Sequence, residues 1–232
     1  TTEIYTLSLH DALPICIKGG SGKSTVATNL AVMCAQKQDV LLIDADDQET
    51  ATDFTVLRNA NLLHGAGYTS IQLTGPAVRT ETQRLDAKYD TILIDTGGRD
   101  TASQRAALSV ADLLLVPFIP RSFDLWTLEK VAELVEEMRA ANPRLHACVF
   151  INRADPRSQD NDETAAALQE STTLEFIPTP LGTRKAYSNA AAQGLGVIEL
   201  KPQDPKATEE MFALYQRIFN VIATPKIPGD KL

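Results

Sequence analysis

Cysteine is scarce. The 232 residues hold three, Cys16, Cys34 and Cys148, with no CxxC spacing and no Cys/His cluster. An odd, scattered set fits reduced thiols in the cytoplasm better than a disulfide framework or a zinc site. Aromatic residues make up 6% of the chain against 44% apolar residues in all, the balance of an ordinary globular protein. No run of eighteen apolar residues occurs, so no membrane-spanning helix is expected. Positive charge is also in deficit, with 22 Lys+Arg against 30 Asp+Glu and a formal net charge of −8. With no basic tail or run, a surface coated in positive potential is excluded, and contact with DNA would need a local patch. No secretory signal, internal repeat or low-complexity tract is present. The length suits one hydrophobic core, so a single domain is the expectation.

What is present is a regular alternation of short apolar runs and helical periods. Val40–Ile43, Thr91–Ile94 ahead of Asp95, Leu113–Val116 before Pro117, and Cys148–Ile151 ahead of Asn152 read as buried parallel strands. Val26, Leu30 and Met33 predict a helix from Lys23 to about Lys37. Leu125, Leu128, Val131, Leu134, Val135 and Met138 predict another, stopped at Asn142-Pro143 by the missing proline N–H. Met211, Leu214, Tyr215, Ile218, Phe219 and Ile222 mark a last amphipathic helix. Its polar face carries no basic cluster, which favours core packing over a membrane anchor. The pattern predicts an α/β fold, a doubly wound and mostly parallel sheet with helices on both faces. Residues 1–15 form an atypical segment without either period. Leu7–Ile15 resembles translated sequencing-adaptor read-through, which would make the segment an artefact; the alternative is a genuine but irregular strand. Residues 16–224 are assigned to the domain and 225–232 to a tail.

The segment Lys18-Gly-Gly-Ser-Gly-Lys-Ser-Thr25 carries the chemistry. Gly19, Gly20 and Gly22, with Ser21 between them, let successive backbone N–H groups turn toward phosphate oxygens with no Cβ in the way. The helix that follows adds its positive end, Lys23 a point charge for the β- and γ-phosphates, and Ser24, next to Thr25, a hydroxyl for Mg²⁺. Residue 17 is Ile where the general G-x-x-x-x-G-K-[ST] loop has its first glycine. K-G-G-x-G-K-[ST] instead resembles the deviant Walker A loop of the ParA/MinD ATPases. The resemblance runs from about residue 16 to about 222 and implies ATP and Mg²⁺ as cofactors and an ATP-dependent homodimer. It also implies that Lys18 reaches across the dimer to the partner's nucleotide.

Two acidic strand ends agree with that loop. Asp44 and Asp46, in Ile43-Asp-Ala-Asp46, fall on one side of the chain by alternation. The resemblance places Asp46 at the attacking water and Asp44 near the metal. Asp95 ends a Walker B-like strand and would join the magnesium shell through water. Gly97 and Gly98 then form either a γ-phosphate-sensing switch or a plain turn. By resemblance, Asn152 and the loop Ile177–Gly182, including Pro178, would hold the adenine. Arg184 and Lys185 would face DNA or stay solvated.

The reading put first is an ATP-dependent, dimerising ATPase of the ParA type in plasmid or chromosome partitioning. Its hydrolysis would be weak and stimulated by a ParB-like partner, with non-specific DNA as its track and no membrane contact. The alternatives are a MinD-like or cellulose-synthesis-type positioning ATPase, a metabolic enzyme of the dethiobiotin synthetase type, and an inactive binding module.

Overall fold

A computed structural model describes residues 11–15, 20–97, 101–120 and 125–223. Its strands are β1 (Asp11–Ile15), β2 (Val40–Ala45), β3 (Thr69–Gln72), β4 (Thr91–Thr96), β5 (Leu113–Phe118), β6 (His146–Ala154) and β7 (Glu175–Gly182). The helices are α1 (Lys23–Cys34), α2 (Thr50–Asn61), α3 (Ala77–Leu85), α4 (Ala102–Leu108), α5 (Leu125–Ala141), α6 (Asp160–Gln169), α7 (Lys185–Ala191) and α8 (Pro205–Ala223). The strands make one sheet in the order β3-β2-β4-β1-β5-β6-β7, and every described pairing is parallel. Parallel neighbours need crossovers, and the crossovers put helices on both faces.

Strand alternation sorts the core. Leu42, Leu93, Leu115 and Phe150 pack with α1, α7 and α8, where Leu30, Ala190, Met211, Leu214 and Ile218 complete the cluster. The intervening residues take the other face. Ile43 and Ile94 join Val78 of α3 and Ala107 of α4, while Leu114, Val116 and Val149 meet α5 and α6. α1 is buried from Val26 through Cys34, so the helix behind the glycine loop is clamped along its length. Asn29 adds a brace: its Nδ2 donates to the Thr25 carbonyl and its Oδ1 accepts from Val197 N, both at 2.7 Å.

The expected doubly wound sheet is the observed one, with these differences. Ile177–Gly182 is not a loop but most of β7, at the edge of the sheet. Edge strands tolerate proline because one row of N–H groups has no ladder to serve. Phe150 pairs with Ile177 but Asn152 with Leu181, so Pro178 lies in a bulge of that strand. α8 packs into the core through Met211, Leu214 and Ile218, as its apolar stripe predicts. The end of the atypical first segment is the central strand: β1 pairs with β4 throughout and with β5 at Ile15–Leu115 alone. Pro14 brings no N–H to that ladder. The irregular pattern predicts poor packing for residues 1 to about 11; of these Asp11 pairs with Thr91 in β1, and residues 1–10 lie outside the described residues.

Candidate functional site

The chain leaves β1, passes through the glycine-rich segment into α1, and crosses to β2 on one side of the sheet; β5 lies on the other side of β1. A crevice at the carboxyl ends of the strands is expected at such a switch in strand order. Gly20 has φ +80° and Gly22, the N-cap of α1, φ +90°. An L-residue resists that conformation, so glycine at 22 sets how the chain enters the helix. Lys23 is only 5% exposed at the first helical position, a costly place for an ammonium unless anions are close. Lys18 and Gly19 lie outside the described residues.

Those anions come from two neighbouring strands. Asp44 and Asp95 are register partners in β2 and β4. Their parity with Leu42 and Leu93 turns both toward the face covered by α1, and both are fully buried. Asp44 is satisfied. Its Oδ2 accepts from the Thr52 backbone N–H and hydroxyl, each at 2.8 Å, and its Oδ1 from Asp46 N at 3.2 Å. Asp95 is not: both carboxylate oxygens are sealed from solvent, and among the described residues neither has a formed hydrogen bond. Burial is the main force pushing its pKa up to about 7. The Ser24 hydroxyl, close enough to favour the charged form, and the Lys23 ammonium oppose that rise, while Asp44 and Asp46 add to it.

Asp46 lies at the rim. Its Oδ1 accepts from Gln48 N at 3.1 Å, and a Cβ on Gly97 would come within 3.3 Å of that oxygen. Gly97, two residues past Asp95, thus gives Asp46 room to lie over the end of β4. Across the loop, Asn152 near the end of β6 donates from Nδ2 to the Ser21 carbonyl at 2.6 Å. The structure therefore brings Ser21, Gly22, Lys23, Ser24, Asp44, Asp46, Asp95 and Asn152 to one edge of the sheet. Thr25 follows in the first turn of α1, with its carbonyl accepting from Asn29. Pro178 stands exposed on β7, and no hydrogen bond ties it to this group. Gly98 lies outside the described residues.

Sequence reading missed Thr52, which holds Asp44 from the first turn of α2. A hydroxyl eight residues past an aspartate gives no local signal, because only the turn back into α2 makes them neighbours. Arg184 is also placed differently from a DNA-facing residue. Its Nε and Nη2 both bond Glu210, whose Oε2 takes Gly182 N as well. A guanidinium held in that fork offers little charge to a phosphate backbone.

The site fits a phosphate chain with a hard divalent cation. A buried, unsatisfied carboxylate beside a hydroxyl and an ammonium is one half of a charge arrangement that a bound cation would complete. Among the described residues no three His, Cys, Asp or Glu side chains gather to hold a metal. Magnesium keeps several waters and takes one or two protein groups plus phosphate oxygens, so none is needed.

Comparison with known proteins agrees with that chemistry. Residues 15–197 match the family described as the CobQ/CobB/MinD/ParA nucleotide binding domain. A "Maintenance of carboxysome distribution protein A" from Gloeobacter kilaueensis is 31% identical, over 87% of this chain and 88% of its own length. A protein of the same name from Halothiobacillus neapolitanus is 27% identical, over 91% and 94% respectively. Among solved structures, an ATP complex of a Cyanothece McdA variant superimposes with a TM-score of 0.74 at 19% identity, covering 95% of this chain and all of that one.

Proposed function

The chain belongs to the CobQ/CobB/MinD/ParA nucleotide-binding family as a P-loop ATPase of the ParA/MinD type, and from that premise we propose that it is an ATP-driven positioning switch that distributes a large protein assembly. The supporting observation is that relatives matching along nearly the whole chain are named for carboxysome distribution. Sequence reading put DNA partitioning first; these relatives move the positioning alternative ahead of it. The net charge of −8 and the Arg184–Glu210 pair add no support for a DNA track.

In this reading the glycine-rich loop and Lys23 would bind the phosphates of ATP, and Ser24 and Asp95 would hold Mg²⁺. When bound, the cation would neutralise charge on the phosphates. The remaining work falls to the chain. Asp44, held by Thr52, fixes the turn that carries Asp46; Asp46 orients a water in line with the γ-phosphate; Gly97 leaves the space for it. Lys18 acts across an ATP-dependent homodimer. Phosphoryl transfer depends chiefly on positioning and electrostatics, so a site completed only by a second subunit and a partner protein turns over slowly alone. The switch works because the ATP and ADP states differ in affinity for partners.

Steady-state phosphate release tests this. The isolated chain with Mg·ATP should turn over on the order of 10⁻² s⁻¹ or slower, and faster once its partner protein is added. Turnover typical of a metabolic enzyme, near 10 s⁻¹, would point to the synthetase alternative instead.

A further inference from the structure

Asn152 was expected to read the edge of the adenine, and its surroundings suggest other work. We propose that Asn152 is a positioning residue that clamps the phosphate-binding loop, holding Ser21 and Gly22 in the conformation that receives phosphate. The proposal deepens the nucleotide-site reading above and rests on it.

The side chain is 7% exposed, and its amide is oriented by two partners of opposite kind. Nδ2 donates to the Ser21 carbonyl at 2.6 Å, while Oδ1 accepts from the N–H of Arg153 at 3.0 Å. A flipped amide would set oxygen against the Ser21 carbonyl and N–H against N–H, so the assignment follows from the chemistry. The contact is tight: a Cβ on Gly22 would fall 2.4 Å from Nδ2. Only a glycine in the left-handed region lets the asparagine reach the loop at this depth.

The clamp is itself anchored. Arg153 has φ +56°, a conformation that non-glycine residues adopt only when their surroundings hold them there. Its N–H is taken by Asn152, and its carbonyl accepts from the Thr183 hydroxyl at 2.9 Å. The β6–β7 register shifts on both sides of Asn152. A break in strand pairing, a left-handed residue and a cross-strand hydroxyl together aim one amide at one carbonyl of the glycine loop. That carbonyl lies one residue before the N-cap of α1. Fixing it sets the direction of the peptide N–H groups entering the helix, which are the groups a phosphate uses. Asn152 would act through the loop, and its effect should appear with any ligand carrying the phosphates, whatever its base.

The test measures binding of Mg·ATP, Mg·GTP and inorganic tripolyphosphate by calorimetry, below the unfolding midpoint of each variant. Asn152→Asp exchanges the donor for an acceptor. It should weaken all three ligands by roughly tenfold to a hundredfold, with the ATP/GTP ratio kept within about twofold. Wild-type tripolyphosphate affinity in this variant, or a loss confined to ATP, would overturn the clamp and return Asn152 to the base. Wild-type protein that binds no nucleotide would instead sink the nucleotide-site reading. A double-mutant cycle covers the case in which Asn152→Asp folds poorly. Gly22→Ala should cost several times less tripolyphosphate affinity in the Asn152→Ala background than in wild type, because the 2.4 Å contact is then gone. Strictly additive losses would count against the clamp.

Discussion

Asp44 and Asp95 occupy register-paired positions on adjacent strands, equally buried and turned to the same face of the sheet, yet their surroundings differ. β2 ends in a turn that doubles back into α2, so Asp44 meets three donors from Thr52 and Asp46. β4 ends at Thr96 with Gly97 beyond it, and among the described residues Asp95 receives no formed hydrogen bond, the Ser24 hydroxyl being a neighbouring donor group. A carboxylate with its hydrogen bonds made is part of the scaffold. One left without them is held in a state that folding alone does not favour, as expected where a cation is to be bound. The same local sequence pattern, an apolar run ending in aspartate, thus serves two purposes, and the turn at the end of each strand decides between them.

The largest effect that would sharpen this contrast is a pH dependence of stability. Asp95 titrates at about 7 in the folded chain against an ordinary 3.8. Between those values the folded state holds a proton that the unfolded state has released, so stability falls as pH rises from about 4 to 7. The full loss is about 4 kcal/mol as an upper bound. Asp95→Asn removes this contribution. In denaturant unfolding without nucleotide, the variant should gain on wild type steadily across that window. A constant difference between the two would mean that Asp95 is not strained by its burial.

A smaller effect probes the satisfied partner. Thr52→Val deletes one donor to Asp44 and leaves the backbone N–H in place. The expected loss is about 1–2 kcal/mol of stability at neutral pH, accompanied by slower ATP turnover as the turn carrying Asp46 loosens. Unchanged stability and turnover would show that the hydroxyl adds nothing to the placement of either aspartate.

Much of this site was readable beforehand. The glycine loop, Lys23 and the two acidic strand ends announce themselves through spacing, and alternation puts Asp44 and Asp46 on one side of the chain; that Asp44 and Asp95 lie together under α1 comes from the register of β2 and β4. The contrast between them was not readable, because Thr52 reaches Asp44 only after the chain has turned. Asn152 was found as a strand end, but its partner is a carbonyl 131 residues away, beyond any local pattern. Ile177–Gly182 read as a loop because it holds two prolines, which an edge strand with a bulge can accommodate. Arg184 read as facing DNA or solvated because its partner Glu210 lies 26 residues on, in α8. The irregular Asp11–Ile15 gave no strand period, yet it lies at the centre of the sheet, where flanking strands set its conformation.

In this account two lysines of one loop do different work, and light scattering paired with titration of a fluorescent ATP analogue tests that division most directly. Wild type should bind the analogue and double its mass in ATP and Mg²⁺ but not in ADP. Lys23→Ala should lose nucleotide affinity outright. Lys18→Ala should keep most of its affinity as a monomer while failing to dimerise, with turnover falling roughly a thousandfold. If Lys18→Ala dimerises and hydrolyses ATP as the wild type does, Lys18 is only a solvated neighbour of an ordinary phosphate loop, and the switch proposed here is contradicted.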